Sequence, residues 1–90
     1  MDQSKPLKVT TVSGSVYLLG EADEEGWRTI IKEGDKLLFS RCVLLGSGDE
    51  DGRRAWVVHD ELLPSYPMLL KKPSGEMFLT GRIKRIEAVN

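Results

Sequence analysis

The chain has 90 residues with 13 Lys+Arg against 14 Asp+Glu, a formal charge of −1. That length holds one domain, and that charge balance excludes general attraction to nucleic acid or to an anionic membrane. Its apolar runs stop at four residues, as in Val16-Tyr17-Leu18-Leu19 and Ala55-Trp56-Val57-Val58, far below the ~20 that a membrane-spanning helix needs.

Residues 1–6 carry no basic, apolar or cleavable leader pattern, so the expectation is a flexible lead-in to a cytoplasmic protein. Residues 7–90 then form the single domain. Gly and Pro recur at short intervals, and the runs between them are rich in Val, Ile, Leu, Thr and aromatics, a composition that suits pleated, half-buried strands better than helices. Seven strands are predicted, over 7–13, 15–19, 27–31, 37–45, 55–60, 68–72 and 77–89.

The turns follow from their chemistry. Lys32-Glu33-Gly34-Asp35 and Pro73-Ser74-Gly75-Glu76 place Gly where a hairpin needs positive φ. Residues 46–53, with Gly46, Gly48, Gly52 and the acids Asp49, Glu50 and Asp51, read as a polar loop joining the fourth and fifth strands. Residues 23–32 are ambiguous. Asp23 would cap a helix with Glu24 and Glu25 in its first turn, but Gly26 and the Thr29-Ile30-Ile31 trio favour a strand. In the last segment, Met77, Leu79 and Ile83 share one strand face while Ile86 and Ala88 fall on the other, so a bulge is expected near Gly81. The fold class expected is all-β, a small SH3-like or OB-like antiparallel barrel with at most one short helix near 23–32. A core this small leaves both a monomer and a homodimer open.

Two end segments carry a resemblance. Thr11-Val12-Ser13-Gly14-Ser15-Val16-Tyr17 is similar to a Thr-x-Ser-Gly-Ser-x-Tyr start, and Thr80-Gly81-Arg82-Ile83-Lys84-Arg85-Ile86 to a Thr-x-x-Ile-x-x-Ile final strand. Both are found in short bacterial and phage-borne β-barrel proteins. The resemblance implies a small barrel from a phage or mobile element, and it transfers no catalytic residue.

The residues themselves offer little chemistry. His59 and Glu61 are close enough in sequence to converge from one strand, but two side chains make neither a metal site nor a working dyad. Cys42, the one cysteine, alternates with Ser40 and Leu44, as a core thiol does, and a nucleophilic role would need positive charge on its own face. Gly46-Ser47-Gly48 lacks the Gly-Lys-Ser/Thr ending of a phosphate loop, and Asp49-Glu50-Asp51 lacks the spaced ligands of a calcium loop. No enzyme activity, cofactor or metal is expected.

Charge and apolar anchors are more informative. Residues 20–51 carry nine acids and four bases, whereas residues 71–90 carry five bases and two acids. Gathered at one end of a barrel, the acidic turns would steer a basic protein partner. The candidate protein-binding residues are Glu24, Glu25, Asp49 and Asp51, with Leu62 and Tyr66 of the Pro-stiffened segment 61–68 as an apolar anchor, or alternatively as a plug closing the barrel. The competing expectation is weak nucleic-acid binding through Lys71, Lys72, Arg82, Lys84 and Arg85, with Phe78 stacking on a base.

Overall fold

Strand alternation writes the inner wall directly. In the computed structural model, which describes residues 3–34, 37–51 and 54–89, β1 (Leu7–Thr11) buries Leu7, Val9 and Thr11, and β2 (Val16–Leu19) buries Tyr17 and Leu19. Period two sends these side chains to one face. The same rule puts Arg28 and Ile30 of β3 (Trp27–Lys32) inside, while Thr29 and Ile31 are exposed. The remaining strands are β4 (Leu37–Asp51), β5 (Arg54–His59), β6 (Pro67–Lys71) and β7 (Met77–Ala88). No helix occurs among the described residues.

All strand pairs are antiparallel, and the ring β1-β2-β3-β4-β6-β7 closes on itself when β7 pairs with β1. This is a six-stranded barrel with β5 added outside it, paired among the described residues to β4 alone. The all-β class and the seven strands match the sequence reading. Residues 27–32 are strand, and the acids before them form a turn: the Asp23 carboxylate accepts from the amides of Glu25 and Trp27, both at 2.9 Å. Those bonds satisfy in a turn the capping capacity that would otherwise start a helix.

The segment 46–51 corrects the sequence reading, which placed a loop over 46–53: β4 continues through Gly46, Ser47, Gly48 and Asp49 to Asp51, β5 starts at Arg54, and residues 52 and 53 lie outside the described residues. Fifteen residues of straight strand would span roughly 50 Å, more than the protein's longest dimension of 36 Å, so β4 must bend. It does so at register shifts between Leu44 and Gly46 and between Ser47 and Gly48. A Cβ on Gly46, whose φ is 131°, would clash with the His59 carbonyl oxygen, and one on Gly48 would lie 2.8 Å from that of Trp56. These glycines permit close strand approach rather than flexibility.

The bent strand changes partners along its length. It pairs β3 over residues 37–43, β6 over 43–47 and β5 over 47–51. Past Ser47 it has left the barrel wall, and β4 and β5 project as a two-stranded arm. The predicted irregularity in β7 is present on both sides. Register shifts against β6 around Thr80 to Arg82 and against β1 around Lys84 leave Thr80, Ile83 and Ile86 as its inward residues.

The core consists of Leu7, Val9, Tyr17, Leu19, Ile30, Cys42, Leu62, Met68, Leu70 and Ile83, with Leu44, Phe78 and Ile86 packed against it. Leu69, also fully buried, lies on the other face of β6 against Gly48. Two buried hydroxyls tie irregular backbone to this core. Ser47 Oγ donates to the Glu61 carbonyl at 2.8 Å and accepts from the Leu63 amide at 2.6 Å, and Thr80 Oγ1 accepts from Met68 at 3.0 Å and donates to the Gly81 carbonyl at 2.8 Å. Ser47 thereby holds the connection between β5 and β6, and Thr80 serves backbone groups that the β6–β7 register shift removes from the ladder.

Candidate interaction surface

Register decides where each turn lies. Leu7 pairs with Leu19 and Trp27 with Val43, so the β2–β3 turn sits at the end of the barrel from which β4 runs on into the arm. Exposed Glu21, Asp23, Glu24 and Glu25 occupy that turn, and exposed Asp49 lies on the arm. Asp51 ends β4, but its side chain is outside the described residues. Exposed Asp60 and Glu61 follow β5 at the same end. Glu33 does not join them: its amide bonds the Val16 carbonyl at 2.8 Å, in the β3–β4 turn at the opposite end. Asp35 lies outside the described residues.

The N-terminal segment runs through this acidic end. Offered by the sequence as a flexible lead-in, residues 3–6 are bonded at every position. The Gln3 side chain donates to the Asp60 carbonyl at 3.2 Å and accepts from the Leu62 amide. Ser4 and Pro6 carbonyls accept from Ala22 and Val89. The buried Arg28 guanidinium donates to the carbonyls of Gly20 at 2.8 Å, Gln3 at 2.6 Å and Lys5 at 2.9 Å. Arg28 thereby clasps the N-terminus and the β2–β3 turn together, a role invisible in a sequence where it is one Arg among several. Alternation was the available signal, since Arg28 and Ile30 share a face.

Outside this clasp, Arg41 stacks on the Trp27 ring, 4.6 Å from its centroid. Both line a shallow groove with Glu21, Asp23 and Arg28. Arg41 and Lys5, the latter 3.7 Å from Glu21, moderate the acidic field without cancelling it.

The two halves of the proposed anchor separate. Leu62 is 7% exposed and belongs to the core, the plug alternative for that residue. Tyr66 is half-buried, its ring edge-on to His59 with centroids 5.0 Å apart. His59 is engaged by that aromatic contact, and Glu61 is exposed. Among the described residues, no three His, Cys, Asp or Glu side chains gather as a metal-holding group.

Cys42 is fully buried opposite Arg28. Burial pushes its thiol above the ordinary value, and the Arg28 charge only partly offsets this. The thiol is therefore held protonated and away from any reactant. Gly46, Ser47 and Gly48 are committed to ladders with β6 and β5, which is no cradle for a phosphate.

The basic residues are distributed differently. Lys72 pairs with Glu76 at 3.6 Å, Arg85 with Glu87 at 3.0 Å, and Arg82 donates to the Ser65 carbonyl at 2.8 Å. Lys71 and Lys84 are exposed, while Phe78 packs against the core. The chain matches no protein-family model, no curated protein and no solved structure, and the chemistry of its own surface carries the functional argument.

Proposed function

We propose that this protein is a non-enzymatic interaction module whose acidic barrel end receives a basic segment of a protein partner, as an inhibitor or adaptor does. The observation that carries the reading is the register that sets Glu24 and Glu25 of the β2–β3 turn at the same end as Asp49 and Asp51 of the arm. Acids on two separate elements focus a field that one loop alone does not, and such a field raises association rates with cationic surfaces. Tyr66 is the aromatic contact in this reading, since it is half-buried rather than part of the core. Leu62 supports it from the core. A cytoplasmic setting and an origin in a phage or mobile element rest on the sequence alone.

The nucleic-acid alternative is weaker because two of its five cations are spent on neighbouring carboxylates and a third on a backbone carbonyl. Counterion release scales with the phosphates neutralised, and Lys71 with Lys84 supply few.

The test is paired capture at low and high salt, using the wild type and a variant carrying Glu24→Gln, Glu25→Gln, Asp49→Asn and Asp51→Asn as baits. The reading expects a basic partner whose association with the wild type is salt-sensitive and whose association with the variant is slower. A partner that binds both baits with equal rates and equal salt dependence removes the acidic end from the function.

A further inference from the structure

A cavity of about 120 Å³ opens at the acidic end of the barrel, lined by Gln3, Leu7, Glu61, Leu62 and Ile86. Leu7 and Leu62 belong to the core and Ile86 packs against it, so the floor is apolar. It is built from β1, β7 and the connection between β5 and β6. A closed apolar cavity of ~150 Å³ accepts a guest the size of benzene, which brings this one within the size of a single side chain.

The polar groups around the floor select the guest. The Gln3 side chain holds the Asp60 carbonyl and the Leu62 amide, and Ser47 holds the Glu61 carbonyl, so these backbone groups are already satisfied. Glu61 is the exposed member of the five lining residues, and among the described residues no ion pair engages its carboxylate. Exposed Asp60 beside it adds a second negative charge. An anion is repelled here, and a wholly apolar guest takes water from the carboxylate without giving it a partner. A lysine side chain answers both parts, because it buries an unbranched four-carbon stem while its compact ammonium stays at the water boundary. Arginine has a shorter stem and a broad planar head in place of that point charge.

We propose that this cavity is the specificity pocket of the acidic end and takes the side chain of one lysine from the partner's basic segment, its stem on Leu7, Leu62 and Ile86 and its ammonium at the Glu61 carboxylate. The proposal rests on the reading of the acidic end as the receiver of a basic segment, and adds which side chain is held there. The acids of the turn and the arm act at range on any cation and govern arrival, whereas the cavity acts at contact and separates one side chain from another. Leu62 then serves binding from inside the core, as the floor of a pocket rather than as an anchor offered to the partner.

The experiment is an amide and methyl NMR titration of the full chain with the blocked tripeptide Ala-Lys-Ala, and with the same peptide carrying norleucine, Nζ-acetyl-lysine or arginine at its centre. One side chain gives a dissociation constant on the order of millimolar. The lysine peptide is expected to shift the Leu62 amide and the methyls of Leu7, Leu62 and Ile86 saturably, leaving the remote exposed Val12 unmoved. It should bind roughly three- to fivefold more tightly than the other three, which lack the ion pair or its compact head. Glu61→Gln, a change at an exposed side chain, should bring the lysine peptide down to the norleucine peptide and leave the latter unchanged, with a melting curve to establish folding. The variant carrying Glu24→Gln, Glu25→Gln, Asp49→Asn and Asp51→Asn keeps the cavity and should keep the shifts at Leu7, Leu62 and Ile86. No saturable shift at those methyls, equal binding of the four peptides, or indifference to Glu61→Gln overturns the inference. A captured partner that is salt-sensitive but indifferent to Glu61→Gln removes the pocket and leaves the acidic end standing. A partner sensitive to Glu61→Gln but not to the four substitutions removes the acidic end and leaves the pocket.

Discussion

Arg28 and Cys42 stand opposite each other on β3 and β4, both buried, so that a guanidinium and a thiol share the inner wall of the barrel. The guanidinium is there because three carbonyls, those of Gly20, Gln3 and Lys5, converge on it. Its charge also bears on the thiol, opposing the effect of burial. One residue thus joins the N-terminal segment, the acidic turn and the core.

Replacing Arg28 should therefore be costly and local in its consequences. Arg28→Met fills much of the same volume but abandons the three carbonyls, and losing charge-assisted bonds in a part-buried setting should destabilise the domain by about 2–4 kcal/mol. Urea unfolding measures this. Hydrogen exchange should show the Ala22 amide, bonded to Ser4, losing protection before the amides of β6. Equal loss everywhere would mean that Arg28 is not the clasp.

The raised Cys42 thiol makes stability depend on alkaline pH. A folded-state value above the unfolded one means that the folded chain holds the proton more tightly. Its contribution is therefore complete below the ordinary unfolded-thiol value and is lost as pH rises through the higher folded value. Wild type minus Cys42→Ala, followed by urea unfolding across this range, should show a stability difference that falls with rising pH. Thiol reagents should label the native protein slowly and the unfolded protein at once.

Gly46 and Gly14 both have positive φ, 131° and 95°, but only Gly46 is crowded. Gly14→Ala meets nothing within 4 Å and should cost only the backbone preference, about 1–2 kcal/mol. Gly46→Ala adds a clash with the His59 backbone that no side-chain rotation relieves, and it should cost about 3 kcal/mol or more. The order of the two unfolding midpoints is the check, and the reverse order would remove Gly46 as the device that bends β4.

Leu62 and Tyr66 should separate in the same way. Leu62→Ala opens a cavity in the core and should destabilise by about 2–5 kcal/mol. Tyr66→Ala gives up an edge-on contact with His59 from a half-buried position, an aromatic pair worth about 0.5–1.5 kcal/mol beyond its area. If binding to a captured basic partner weakens in a folded Tyr66→Ala variant, the loss should lie in faster dissociation, while the acidic substitutions slow association.

Much of this fold is written locally. The alternation of Leu7, Val9 and Thr11, the turn glycines Gly34 and Gly75, and the β-branched residues ahead of Lys32 specify strands and turns by short-range sterics and period. These do not depend on where the neighbouring strand lies, so all seven strands were legible. An irregularity near Gly81 was legible, but not its faces: Phe78 and Thr80, rather than Met77 and Leu79, point inward with Ile83, because the register shifts both before and after Ile83. The status of 46–51 was not legible: a glycine that loosens a loop and a glycine that lets two strands touch are the same letter, and only the position of the His59 carbonyl distinguishes them. Nor could sequence order say that Glu24 and Asp49 share an end while Glu33 does not, because closure and register are set by long-range pairings. The tertiary structure alone decided that Arg28 is a buried clasp, that Leu62 is core, and that β5 joins β4 outside the closed ring. Each depends on which groups the closed ring brings within a few ångströms, a property of packing that no single segment contains.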